Sequence, residues 1–265
     1  MASESLRRSG AVTLDLLAEV GRMSRLAGAT ARHVLVEPWR GKPLRVRSTV
    51  EQLLRAGNDS APLVALIAAL IGIILALQSA YQLRQLGATH LVADLVAVSV
   101  TRELAPLMTA ILVAGRAGSA IAAELGTMKV SEEIDALEVI GLDPVNFLVV
   151  PRILALLIAV PCLTLIADLI GILGGCGIGV AVLGIGAGAY LSDSAAILVQ
   201  EDLWGGVLKA LAFGGIIGLV ACQQGLGTRG GADEVGRSTT ATVVRSIVLI
   251  IVADMFVTAL LFVRN

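Results

Sequence analysis

The chain has 265 residues, 56% hydrophobic, 15% charged and 3% aromatic, with a formal net charge of −1 and a mean hydropathy of +0.87. Soluble domains run at about 25% charged and about 45–50% apolar, so an enzyme with an ordinary wetted surface is excluded. Disorder needs low hydrophobicity and high net charge, and a nucleic-acid binder needs a basic excess; neither is present. The expected class is all-α, a multi-pass membrane protein. The segment 1–58 is too polar to span and is expected to hold N-terminal interfacial helices, with the membrane domain over 59–265. In the first helix Val12, Leu16, Val20, Met23 and Ala27 form one stripe, opposite Asp15, Glu19 and Arg22. That pattern reads as a helix lying in the membrane interface, or as a helix of a soluble bundle. Glu37-Pro38-Trp39-Arg40-Gly41-Lys42-Pro43 breaks it from a second helix, and Trp39 is placed to anchor at headgroup depth.

A spanning helix needs about 20 mostly apolar residues. Five stretches qualify: about Ala61 to Leu83, Leu91 to Ala114, Val149 to beyond Gly179, Leu203 to Gln223, and Val243 to Val263. Ten of the 20 Lys and Arg precede Ala61, more follow spans two and four, and none lies between Gly184 and Asp202. The positive-inside rule then expects a cytoplasmic N-terminus and a C-terminus on the far side. Span three carries the Gly-x-x-x-Gly pairs 171/175 and 175/179. These favour close helix pairing, or else a kinked, flexible helix.

Cys162, Cys176 and Cys222 lie in apolar stretches at no metal-like spacing, and only His33 and His90 are present. An intramembrane hydrolase therefore lacks its base, and no metal set is formed. Lys42, Lys129 and Lys209 close no Gly-x-x-x-x-Gly-Lys-Ser/Thr loop, so the chain carries no nucleotide site of that kind.

Thr101-Arg102-Glu103-Leu104-Ala105-Pro106 puts two charges inside span two. An ion at mid-membrane costs at least about 2.5–3.5 kcal/mol and needs partners or water. Arg102 and Glu103 point about 100° apart, so they do not pair face to face. They read as a polar patch beside a cavity or gate, or as an interfacial pair holding a helix end. Pro106 is expected to bend the helix.

After span two, Ser131 to Ile140 reads as a short amphipathic helix within about 127–142. Ser131 is expected to cap it, Glu132 and Glu133 suit its first turn, and Gly141 with Asp143-Pro144 ends it. Val130, Ile134, Leu137 and Gly141 share a face; Glu132, Asp135 and Glu138 lie off it. This is either a knob for a partner's groove or a solvated loop helix. In Gly115-Arg116-Ala117-Gly118-Ser119, Ser119 has no positioned histidine, and close helix packing is the expected use of the small residues.

The stretches Arg102-Glu103-Leu104-Ala105-Pro106, Ala114-Gly115-Arg116-Ala117-Gly118-Ser119-Ala120, Ala123-Glu124-Leu125-Gly126-Thr127-Met128 and Glu132 to Pro144, with Pro151-Arg152, resemble the MlaE/YrbE family. These are permease subunits of ABC transporters that work with MCE-domain proteins. The resemblance implies a homodimer of five-span subunits in the cell inner membrane. It implies a separate ATPase subunit that binds the ATP, so that the chain is not itself an enzyme and needs no cofactor. It further implies an MCE-domain protein on the outer side, a separate STAS-domain protein in some systems, and a lipid, usually a phospholipid, as the substrate. By position, Gln78, Tyr81, Arg102 and Glu103 match residues of the substrate pathway. Ser131, Glu132, Glu133, Ile134, Asp135, Leu137 and Glu138 match the helix that couples to the ATPase. The reading from another class is a membrane scaffold that assembles partners without transport.

Overall fold

The computed structural model describes the backbone at 2–36 and 45–264 and the side chains at 18, 20–36 and 45–260. The link holding Trp39 and the side chains of Val12, Asp15, Leu16 and Glu19 lie outside the described residues. The chain order is α1 (Ala2–Leu35), α2 (Val46–Asn58), α3 (Ala61–Gln85), α4 (Val92–Ser99), α5 (Ala105–Val113), α6 (Ser119–Val130), α7 (Glu133–Val139), α8 (Val150–Leu183), α9 (Ala187–Ile197), α10 (Gln200–Leu226) and α11 (Ala232–Arg264). Among the described residues there is no strand. Five helical stretches are long and apolar enough to cross a membrane: Val46–Gln85, Thr89–Val130, Val145–Leu183, Gln200–Leu226 and Ala232–Leu260.

Two boundaries differ from the sequence expectation. Span two does not stop near Ala114; it runs on through the Gly115–Ser119 stretch to Val130, because small residues there allow close packing in place of a turn. Span five begins at Ala232, directly after the Gly230-Gly231 pair, where Asp233 and Glu234 favour a helix N-terminus. Between spans three and four, where the sequence has no basic residue, the chain forms a further helix, α9.

Span two is not one regular helix. π-helical turns at Val100–Leu104 and Ala114–Gly118 divide it into α4, α5 and α6. The first lies just ahead of Pro106, whose missing N–H and ring disturb the ladder.

The glycines of α8 do two jobs. A Cβ built on Gly72 of α3 would lie 1.9 Å from the Gly171 carbonyl oxygen, and one on Gly174 would lie 2.5 Å from the Ala69 oxygen. Spans one and three therefore meet backbone to backbone, the close pairing expected of such residues. One turn further on, Gly175 and Gly179 open a slot for the Tyr190 ring of α9: a Cβ would lie 2.6 Å from its hydroxyl oxygen and 2.7 Å from Cδ2 respectively. Tyr190 is fully buried there. α10 packs centrally through its own small residues, and Gly214 approaches the Leu156 carbonyl to 2.6 Å by the same measure. Phe213, Ile217, Leu156 and Leu125 fill the core around it.

α3 keeps one face uncovered. Leu63, Leu66, Leu70, Ile74 and Leu77 are exposed along it at helical spacing.

Candidate functional site

Two groups of polar residues sit at opposite ends of the bundle. The first is inside the membrane domain, toward the α9 end. The π turn presents Arg102 and Glu103 to different neighbours. Arg102 Nε donates to Asp202 Oδ1 at 2.5 Å. Asp202, buried in the first turn of α10, also accepts the Val199 N–H through Oδ2 at 3.2 Å, so it closes the helix N-terminus as well.

Glu103 turns toward Lys209 of α10, whose side chain is only 2% exposed. The Lys209 ammonium donates to Glu103 Oε2 at 2.5 Å, to Thr258 Oγ1 at 2.7 Å and to the Arg102 carbonyl oxygen at 3.1 Å. Those three bonds use its three protons. The Asp254 carboxylate of α11 adds charge at 3.0 Å. Thr258 Oγ1 donates on to Glu103 Oε1 at 3.3 Å. The Arg102 carbonyl that accepts from Lys209 is the one Pro106 has no N–H to bond.

Spans two, four and five are thus tied by ionic contacts in a low-dielectric interior, where each ion needs partners. Two cations meet three carboxylates. The arrangement is not closed off: side chains remain 50% exposed at Arg102 and 40% at Glu103.

Val100 and Leu104, which flank this pair in sequence, turn to apolar neighbours instead. A narrow crevice of about 10 Å³ between spans one and two is lined by Ile67 and Ile71 of α3 and by Val100, Leu104, Met108 and Leu112. Gln78 and Tyr81 lie on the uncovered face of α3, with Tyr81 73% exposed. Among the described residues no hydrogen bond joins them to Arg102 or Glu103.

The second group surrounds α7. Ser131 does not cap this helix. Its Oγ bonds back to the Thr127 carbonyl at 3.0 Å and reaches Glu133 Oε1 at 2.9 Å, so it closes α6. The N-cap position falls to Glu132, in the left-handed region at φ 60. This sharp reversal turns α7 away from α6, and Gly141 at φ 80 ends it. Lys129 Nζ holds Asp135 at 2.6 Å. His33 Nε2 of α1 lies 3.0 Å from Asp143 Oδ2, while Asp143 Oδ1 accepts the Val145 N–H at 2.9 Å. Arg45 stacks over the Phe147 ring at 3.7 Å. Arg152, buried in α8, pairs with Glu124 at 3.0 Å.

The face of α7 is therefore sorted. Ile134 is buried and Leu137 packs against the core, so both serve the chain's own bundle. Glu132, Glu133, Asp135 and Glu138 are outward, and Val139 and Ile140 are exposed at 87% and 70%.

Sequence reasoning singled out Arg102 and Glu103 but not their partners Asp202, Lys209, Asp254 and Thr258. The signal was present: Lys209 and Asp254 are lone ions in apolar spans, and each needs an opposite charge. Among the described residues no cluster of His, Cys, Asp and Glu is suited to a metal ion.

The family model described as "Permease MlaE" matches residues 49–260. The chain is 42% identical over 220 residues to a probable ABC transporter permease protein of Rickettsia typhi, covering 83% of this chain and 85% of the relative. It is 39% identical over 253 residues to one of Rickettsia felis, covering 96% of each. It is 37% identical over 232 residues to the chloroplastic protein TRIGALACTOSYLDIACYLGLYCEROL 1 of Arabidopsis thaliana, covering 88% of this chain and 66% of that protein.

Proposed function

Since the chain belongs to the MlaE permease family of ABC transporters, we propose that it moves a lipid, of the phospholipid class, across or out of the inner membrane. The observation that carries this reading is the junction at Glu103. An ionic cluster, half open at Arg102 and Glu103, borders a narrow seam of about 10 Å³ between spans one and two, whose mostly apolar walls would part to admit an acyl chain. An amphiphile requires that order of surfaces: charge and hydrogen bonds for a headgroup, and apolar walls for acyl chains. The Arabidopsis relative is named after a diacylglycerol glycolipid, which supports a lipid substrate but not the phosphate.

The chain supplies the path and a partner supplies the work. An ABC permease implies an ATPase subunit. In this reading the ATPase docks on the acidic outward face of α7 with Val139 and Ile140, and nucleotide-driven movement there shifts the population of open and closed paths. The uncovered face of α3, with Gln78 and Tyr81, meets a second copy of the chain, so that the lipid lies near the seam of a homodimer. The N-terminus and α7 are cytoplasmic and the α9 end faces outward, where an MCE-domain protein receives or delivers the lipid. A STAS-domain protein is a further soluble partner.

The test is lipid movement in proteoliposomes holding the complete transporter. Glu103→Gln should leave assembly and basal ATP hydrolysis in place and reduce lipid movement. Unchanged movement would favour a scaffold that assembles partners without transport. Mass spectrometry of lipid retained by the purified complex identifies the class.

A further inference from the structure

A second polar feature lies at the α7 end, away from Glu103. Here a cleft of about 500 Å³ opens between α1, the last turn of α6, the end of α10 and α11. Four cations line it: Arg22 from α1, Lys129 from α6, Arg229 from the turn after α10, and Arg245 from α11. They come from four segments of the chain. Lys129 is matched by Asp135. Arg22 and Arg229 make no ion pair or hydrogen bond among the described residues. The carboxyl end of α10 also faces the cleft and carries about half a negative charge. That is too little to balance Arg22 and Arg229. Like charges gathered in one cleft repel, and a bound anion removes that cost.

We propose that this cleft holds the phosphate of a lipid headgroup from the leaflet on the α7 side. Its position supports a lipid over a soluble anion. The cleft opens where the apolar spans end, which is the depth of bilayer phosphates, and basic pockets between helices at that depth suit anionic headgroups. Leu226 gives it an apolar wall. Gln223 lines it too, and its Oε1 is buried with no hydrogen-bond partner. A headgroup that carries a hydroxyl or ammonium beside its phosphate would supply the missing donor. The lipid bridges α1, the end of α6 and α11, and so braces the segment from which α7 projects. This site does not depend on which molecule the permease moves.

The experiment is thermal unfolding of the full chain in a neutral detergent, titrated with short-chain phosphatidylglycerol, with matched diacylglycerol and with inorganic phosphate. Phosphatidylglycerol should raise the midpoint saturably, and the other two should not. The variant Arg22→Gln/Arg229→Gln should need about tenfold more phosphatidylglycerol for the same shift. Both residues are exposed and unpaired in the described structure, so the variant is expected to fold; Arg22→Lys/Arg229→Lys should retain the response. Glu103→Gln should also retain it, which separates this proposal from the transport reading. Equal response in the Gln variant, or an equal shift from diacylglycerol, would overturn the proposal. A matching shift from inorganic phosphate would replace the lipid with a free anion. Loss of the lipid response on adding the ATPase subunit would instead assign the cleft to a protein contact.

Discussion

Lys209 and Glu103 lie 106 residues apart in the chain, and their side chains meet at 2.5 Å inside the membrane domain. The ammonium is almost wholly buried, whereas the carboxylate is partly open. The two partners therefore answer differently to substitution. Lys209→Met would strand the Glu103 and Asp254 carboxylates without a cation. Breaking a buried pair in this way costs about 3–5 kcal/mol. The purified variant should show a clearly lower unfolding midpoint than the parent; an unchanged midpoint would mean that the cluster adds nothing to stability.

Glu103→Gln is the milder change. Lys209 keeps Asp254, Thr258 and the Arg102 carbonyl, so the bundle should hold. Charge-assisted hydrogen bonds contribute about 1.5–3 kcal/mol, so lipid movement should fall by about ten- to a hundredfold if Glu103 meets the headgroup. Initial rates in proteoliposomes, set beside an unchanged unfolding midpoint, separate this effect from loss of fold.

Gly72 and Gly177 make a matched pair of tests. A methyl group on Gly72 would collide with the Gly171 carbonyl, while nothing lies within 4 Å of a Cβ at Gly177. Gly72→Ala should push spans one and three apart and lower the yield of monodisperse protein. Gly177→Ala should be neutral or stabilising by up to about 1 kcal/mol. Size-exclusion profiles of the two variants, run together, give the answer.

Around α7 the outward and inward residues should part company. Glu133→Arg or Val139→Asp should weaken co-purification of the ATPase and leave membrane insertion intact. Leu137→Arg should reduce insertion or yield, since Leu137 packs against the chain's own core. If Glu133→Arg retains the ATPase at parental level, the docking face has been misassigned.

Tyr190 gives a pH test. Burial pushes its hydroxyl from 10.0 up to about 12. The unfolded chain loses this proton first, so above pH 10 it binds fewer protons than the folded chain. The contribution is therefore whole below pH 10 and fades as the pH climbs toward 12. Absorbance titration in a Tyr81→Phe background isolates this phenol, and Tyr190→Phe should abolish the late transition.

The five spans were legible because hydropathy reports length and apolar content directly. Arg102 and Glu103 stood out for the same reason: charge in an apolar run is visible one residue at a time. Their partners were not, because pairing across spans two, four and five depends on how the helices rotate and cross. The glycines of α8 show the same limit. Their spacing announced close approach, but not that Gly171 meets a backbone while Gly175 and Gly179 admit an aromatic ring from α9. Ser131 was placed at the wrong helix, because a left-handed Glu132 separates α6 from α7 and no local pattern marks that reversal.

The contact between His33 and Asp143 has a mechanical consequence. One partner belongs to α1, whose C-terminal half packs on the bundle through Leu26, Thr30 and His33; the other belongs to the turn that follows α7. If α7 is the docking face proposed above, a push delivered there would reach α1 through this contact as well as the nearest span.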